Sequence, residues 1–329
     1  MTVLVTGSSG HLGEALMRTL RGNGRAAIGL DVIQGTFTDE VASIADRARI
    51  ARAMKEVDTV LHAATLHKPH VATHAREAFV ETNVRGTLIL LEEAARAHIR
   101  AFVMTSTTSA FGDALKPPPG APAAWIDERV APVPKNIYGA TKTAAEDLCQ
   151  LFHRNEGLKS IVLRTSRFFP EEDDDTAARA ACADENSKAN EYLFRRVAIE
   201  DVVEAHLIAA ERAPGIGFGK YIISATTPFS PADCARLRVD APAVVSLRAP
   251  GWEDEYARRG WRMFSSVDRV YDNALARREL GWRPKWDFAA VLQRLRETGD
   301  IRGPLARQIG EKGYHAERFE GAPYPVTGS

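Results

Sequence analysis

The stretch Val3-Leu4-Val5-Thr6-Gly7-Ser8-Ser9-Gly10-His11-Leu12-Gly13 decides the fold. Val3–Thr6 is a short apolar run that predicts a buried strand, and Leu12–Gly22 carries apolar residues at helical spacing. Three glycines spaced G-x-x-G-x-x-G make the turn between them. Glycine lets the backbone approach a pyrophosphate closely, and the first turn of the helix offers unpaired N–H groups and the positive end of its dipole. The spacing differs from G-x-G-x-x-G, and a glycine triplet alone also fits a plain tight turn. Asp31 supplies the second half of the argument. It closes the next apolar run, Ala26–Asp31, 18 residues beyond Gly13. That is close to the offset of roughly 20 residues for a carboxylate on the adenosine ribose hydroxyls. A carboxylate there repels a 2′-phosphate, so NAD is expected rather than NADP.

Outward from this turn, Thr59–Ala63 and Ala101–Ser106 read as further buried strands, and Ala48–Met54 and Arg76–His98 as helices. The alternation predicts an α/β fold, a doubly wound parallel sheet of Rossmann type, with ligands at the carboxyl ends of its strands. Near Pro170 the pattern changes to an acidic run, Glu171–Asp175, an alanine-rich stretch and a strand-to-helix unit at Arg195–Glu211. Beyond Tyr221 the chain is richer in Pro, Arg and Trp. Residues 1–169 are therefore read as the nucleotide-binding domain, which also receives 197–225. Residues 170–196 and 226–329 are read as a smaller, mixed substrate-binding region with an irregular tail after Gly303. Pro117-Pro118-Pro119-Gly120 reads as a surface loop.

The chain has 329 residues, 45% hydrophobic and 26% charged, with 43 basic and 43 acidic side chains. That balance argues against a polyanionic partner, so no nucleic-acid role is expected. Cys149, Cys182 and Cys234 form no CxxC pair, which fits a reducing, cytoplasmic setting. The amino-terminal residues have no basic leader and read as a strand, not a signal peptide. No apolar run approaches the roughly 18 residues of a membrane span, and a soluble protein with no membrane partner is expected.

Tyr138-Gly139-Ala140-Thr141-Lys142 places a phenol and an amine four residues apart, on one face of a helix. A phenol with its usual pKa near 10 is a poor base at neutral pH. An adjacent ammonium and a positively charged nicotinamide favour the phenolate and are expected to lower that pKa. Thr105-Ser106-Thr107-Thr108-Ser109, ending a strand, offers a hydroxyl to orient a substrate oxygen beside the phenol.

With these residues the chain resembles the extended short-chain dehydrogenase/reductase family, also called the NAD-dependent epimerase/dehydratase family, from residue 2 to about residue 290. Five further stretches carry the likeness. They are Leu61-His62-Ala63-Ala64, Asn83-Val84-Arg85-Gly86-Thr87, Leu163-Arg164 through Phe169-Pro170, Arg195 through Val203, and Leu280-Gly281-Trp282-Arg283-Pro284. The resemblance implies NAD held at its pyrophosphate by Gly7, Gly10, His11, Leu12 and Gly13. Asp31 with Val32 would take the ribose, and Ser43 and Ile44 the adenine flank. Ala63, Ala64, Asn83, Thr105 and Phe168 would line the cofactor groove. It implies catalysis by Thr107, by Tyr138 as base, and by Lys142, which also binds the nicotinamide ribose. Helices within Arg76–His98 and Tyr138–Phe152 are similar to those that form a dimer contact in the family, which implies a homodimer.

The chain departs from the family at several points. Ser43 stands where Asp is frequent, Phe111 where Tyr is usual, and Arg167 and Phe168 in a turn that usually contains Asn. Thr108 and Ser109 follow Thr107 where dehydratases carry an acidic pair, which argues against a dehydratase. Pro170 and Arg195 are 25 positions apart, short for a nucleotide-sugar grip. The reading is therefore an NAD-dependent dehydrogenase acting on a sugar, sugar acid or similar small polyol-like alcohol. A nucleotide-sugar 4-epimerase with tightly held NAD is the alternative, and a non-catalytic NAD-sensing regulator a minor one. His67, Thr107, Thr108, Arg167 and Arg195 are the candidate substrate contacts, and Arg196 is a further anion partner. His67, His70 and His74 are not read as a metal site, because Pro69 interrupts them and no metal is expected. Trp252, Trp261 and Trp282 read as packing residues.

Overall fold

A computed structural model of the chain describes residues 2–172 and 182–313. Its strands are β1 (Val3–Thr6), β2 (Ala27–Asp31), β3 (Glu40–Val41), β4 (Thr59–His62), β5 (Ala101–Thr107), β6 (Ala124–Ile126), β7 (Ser160–Thr165), β8 (Phe218–Ile223) and β9 (Arg269–Tyr271). One sheet runs in the order β3-β2-β1-β4-β5-β7-β8 with every neighbour parallel. The order reverses between β1 and β4, which opens a crevice above their carboxyl ends. β6 and β9 pair in a separate two-stranded ribbon.

The helices that position the site are α1 (His11–Gly22), α2 (Arg47–Ala53), α3 (Arg76–Phe79), α4 (Thr87–Arg96), α5 (Ile137–Glu156), α6 (Asp184–Glu191) and α7 (Ile199–Ile216). Side chains alternate across a strand, so strands apolar on both faces need helices on both sides. Val3, Val5, Val103 and Leu163 face Leu16 and Met17 of α1 and Val202 and Ala209 of α7. Leu4, Val60, Phe102 and Val162 face Ile50 of α2, Leu90 of α4 and Cys149 and Phe152 of α5. A third core joins Tyr192, Leu237, Val245, Tyr256, Phe288 and Leu292. The doubly wound α/β architecture is the one the glycine turn and strand alternation imply.

Three local expectations are corrected. Arg76–His98 is not one regular helix, because a π-helical stretch, Val80–Gly86, separates α3 from α4. It carries Asn83 inward to 1% exposure and presses Gly86 against Ile44, where a Cβ would lie 2.6 Å from Ile44 Cγ1. The Arg195–Glu211 unit contains no strand. β8 pairs with every residue of β7, and beyond their ends only a single bridge, Arg167 to Arg196, remains before α7 begins. The segment after Gly303 is not irregular throughout: Pro304–Ile309 is helical. Glu200, in the first turn of α7, accepts the N–H groups of Leu305 and Ala306 at 3.0 and 3.2 Å. Asp173–Asp175, the alanines up to residue 181 and the tail beyond 313 lie outside the described residues.

Trp282 locks the carboxyl-terminal segment to the sheet layer. It is fully buried and donates its indole N–H to the Asp201 carbonyl at 3.0 Å. The Asp201 carboxylate accepts the N–H groups of Lys285 and Trp286, each at 2.9 Å. Trp282→Ala is expected to cost about 3–5 kcal/mol by urea unfolding, the usual penalty for emptying a buried tryptophan site. An unchanged unfolding midpoint would show that this segment contributes nothing to the stability of α7.

Candidate active site

The turn after β1 is built by steric necessity. Gly7 has φ 76°, and a Cβ there would lie 2.7 Å from the Ala64 nitrogen. A Cβ on Gly13 would lie 1.8 Å from the Gly7 carbonyl oxygen, so only glycine lets α1 pack this closely under the turn. Gly10 caps α1 without a side chain. The first-turn N–H groups of His11, Leu12 and Gly13 have no helical acceptor, which is the donor set a pyrophosphate requires. The residues present fit the dinucleotide that the sequence implies.

The flanking residues are arranged around this mouth. Asp31 accepts the N–H of Ser9 at 2.9 Å and of Ile33 at 3.0 Å, which fixes its carboxylate beside the glycine turn. Val32 is exposed next to it. Ser43 Oγ accepts the Ala45 N–H at 3.1 Å, while the Ile44 side chain is packed into the core. Ala63 and Ala64 follow β4 against the Gly7 wall. His11 is buried and lies 2.8 Å from the Glu171 carboxylate. Asn83 uses its amide within the protein: its oxygen accepts from Thr65 Oγ1 and the Leu66 N–H, each at 2.9 Å. Its nitrogen donates to the Leu66 carbonyl at 2.8 Å and to Thr141 Oγ1 at 3.1 Å, tying the loop after β4 to α5. The Thr105 hydroxyl pairs with His206 Nε2 at 2.8 Å.

Asn136 caps α5 by accepting the Gly139 N–H at 3.0 Å. A Cβ on Gly139 would lie 2.9 Å from the Ser109 carbonyl oxygen, so this glycine brings the start of α5 against the end of β5. Tyr138 and Lys142 are buried one turn apart on that helix. Thr107, the last residue of β5, accepts the Ser109 N–H at 3.0 Å and lines the same cavity as the Tyr138 phenol. Burial pushes Tyr138 up to about 12, against which the neighbouring Thr107 hydroxyl acts. Burial therefore outweighs the expected lowering within the protein alone, and the positive charges of Lys142 and of the oxidised nicotinamide are the contributions of the required sign. Burial pushes Lys142 down to about 8, opposed by the negative charge of Glu146 and then by Cys149.

A cavity of about 380 Å³ brings Thr107, Thr108 and Tyr138 together with His67, Arg167, Phe168 and Arg195. Asp268, Arg269 and Tyr271 complete its far wall. Sequence reasoning missed these three, because the short strand β9 carries no motif and is placed only by pairing with distant β6. Glu191 stands behind Arg195 and Arg167, at 2.9 and 3.4 Å, and pairs with buried Arg196 at 3.0 Å. Burial raises Glu191, but the three guanidiniums together hold its carboxyl below the usual range. His67, His70 and His74 pack ring on ring, with centroids 4.6 and 5.0 Å apart. Among the described residues no group of three or more His, Cys, Asp or Glu is placed to hold a metal. No described helix is long and apolar enough to cross a membrane.

Fold and family together mark the chain as an NAD-dependent enzyme. The chain belongs to the NAD dependent epimerase/dehydratase family, whose model matches residues 3–223, and NAD is its cofactor. It is 33% identical over 172 residues to UDP-glucose 4-epimerase of Rhizobium leguminosarum bv. trifolii, covering 50% of each chain, so it spans half the length of that relative. It is 29% identical over 330 residues to dTDP-glucose 4,6-dehydratase of Streptomyces antibioticus, covering 89% of this chain and 91% of that one. Among solved structures, a short-chain dehydrogenase/reductase superfamily protein of Agrobacterium tumefaciens with bound NAD superposes with a TM-score of 0.62 at 24% identity. That match covers 91% of this chain and 99% of the other.

Gly13→Ala is expected to abolish NAD binding measured by titration calorimetry, with the protein still folded by circular dichroism. Wild-type affinity in the folded variant would show that the turn does not need the close packing described.

Proposed function

We propose that this protein oxidises or reduces a secondary alcohol of a sugar, sugar acid or similar small polyol-like molecule, with Tyr138 as general base. The observation that carries the reading is that Thr107 and Tyr138 line one cavity wall, with buried Lys142 one helical turn beyond. Tyr138 takes the proton of the substrate hydroxyl, and Thr107 holds the substrate oxygen while it does so. Lys142 supplies positive charge beside the phenol and the hydroxyl contacts of the nicotinamide ribose. NAD, held by the glycine turn and Asp31, would supply the acceptor for the hydride of the carbinol carbon. Asp31 takes the adenosine ribose hydroxyls and sets the preference for NAD. His67, Thr108, Arg167 and Arg195 hold the substrate, with residues 170–196 and 226–329 as the substrate-binding region and tail.

A second reading is supported by the relative named as a 4-epimerase. There the substrate ketone turns over in the cavity and regains its hydride on the other face. The dehydratase outcome is disfavoured because Thr108 and Ser109, not carboxylates, follow Thr107 and form a short 3-10 turn. Exposed Val80 and Leu151, in Val80–Gly86 and on α5, support a homodimer through these helices.

The test is incubation with NAD and a panel of aldoses, uronic acids and nucleotide-sugars. Accumulating NADH is expected for the dehydrogenase, and an isomeric product without net NADH would replace it by the epimerase. Tyr138→Phe is expected to lower kcat by at least about 10²-fold, the lower range for loss of a general base. Full turnover in that variant would refute the assignment.

Asp31→Ala is expected to narrow the preference for NAD over NADP, read as the ratio of kcat/KM for the two cofactors. An unchanged ratio would remove Asp31 from cofactor selection.

A further inference from the structure

One turn beyond Lys142 on α5 lies a carboxylate that the proposed chemistry does not use. Glu146 is fully buried, and its Oε1 accepts from Ser106 Oγ of β5 at 2.5 Å. Arg164 of β7, also buried, grips it through Nε at 3.0 and 3.1 Å and Nη2 at 2.6 Å. Lys220 of β8 approaches it at 3.6 Å. Lys142, Glu146 and Cys149 follow one another at helical spacing and form a buried stripe of α5 against these strands.

We propose that Glu146 is a positioning residue for catalysis: anchored by Arg164 and Ser106, its carboxylate holds Lys142 as the ammonium ion behind Tyr138. The proposal rests on the reading of Tyr138 and Lys142 given above. The argument is one of charge. A single buried carboxylate pairs with Arg164 and Lys220 and lies one helical turn from buried Lys142. Lys220 also pairs with Asp147 at 3.2 Å, so removing the Glu146 charge leaves Arg164 and Lys142 as the two buried cations without it, and one must yield. Arg164 cannot give up its proton under ordinary conditions, and Lys220 reaches solvent. Lys142 is buried, so it is the cation that neutralises. A neutral amine no longer favours the phenolate, and the base is lost.

The surroundings of Lys142 support this assignment. On its own helix it faces Tyr138, Glu146 and Cys149, and from β4 it faces His62. His62 is buried between Thr6 Oγ1 at 2.8 Å and Thr87 Oγ1 at 3.0 Å, and burial, then the charge of Lys142, keeps it neutral. Burial pushes the Cys149 thiol up to about 12, so it too is neutral in the working range. Glu146 is thus the full negative charge among these named groups. Burial has already brought Lys142 down to about 8, so a further fall of about one unit leaves it roughly half protonated at neutral pH.

The experiment compares wild type, Glu146→Gln and the double variant Glu146→Gln/Arg164→Met. It follows the Lys142 side-chain resonance by NMR across pH, with NAD bound and without, assigned by its loss in Lys142→Arg. Glu146→Gln is expected to move the Lys142 midpoint down by about one pH unit, a roughly tenfold change in its protonation equilibrium. The alkaline limb of kcat/KM should move with it. Glu146→Gln leaves Arg164 without its partner and can fail to fold. The double variant removes both charges, so a smaller movement in the same downward direction is expected there. A merely structural ion pair would let the double variant regain stability with the Lys142 midpoint and the pH profile unchanged, and that result overturns the proposal. Failure of both variants to fold would assign the pair to the fold and overturn it equally. The titration needs no substrate, so full turnover in Tyr138→Phe would refute the base while leaving this measurement independent.

Discussion

The close approach of α1 to the turn that precedes it is the constraint on which the molecule depends. With the Gly7 carbonyl 1.8 Å from where a Gly13 Cβ would sit, the helix can start only where glycine stands, and it starts directly above β1. That placement aims the helix amino terminus along the carboxyl edge of the sheet. β4 and β5 lie beside β1 on one side and β2 on the other, so Asp31, Ala64 and Thr107 reach the same edge from three strands. The site is a consequence of parallel pairing around one close contact.

α5 is the second fixed body. Its amino end is drawn to β5 by Gly139, its apolar face covers β5 and β7, and its one buried carboxylate is gripped from both strands. The phenol and amine are therefore carried on an element with little freedom to turn. A general base must be held within hydrogen-bond reach of the proton it removes, and rigidity of this kind supplies that reach. Breaking a buried pair such as Glu146–Arg164 leaves an uncompensated charge, so the same contact serves stability and the electrostatics behind Tyr138.

Much of this was legible in the residues because its causes are local. The glycine turn, the strand cores and the helical spacing of Tyr138 and Lys142 follow from sterics and periodicity within short windows. What escaped depends on distant pairing. Asp268 and Arg269 enter the cavity wall only because β9 finds β6, and the Pro304–Ile309 helix forms where Glu200 can cap it. The π-helical turn at Val80–Gly86 was unreadable for a similar reason, since Asn83 turns inward to partners at Leu66 and Thr141. The direction of the Tyr138 shift also needed three dimensions, because burial, which no spacing rule reports, outweighs the influence of the Thr107 hydroxyl.

The central claim is that one dinucleotide, lying across the glycine turn, presents its nicotinamide to the hydroxyls of Thr107 and Tyr138. A crystal structure of the protein soaked with NAD measures this most directly. The account requires the pyrophosphate on the N–H groups of residues 11–13 and the nicotinamide inside the cavity lined by Thr107, Tyr138 and Phe168. A nicotinamide bound elsewhere, with the cavity reached by neither ring nor ribose, would contradict it.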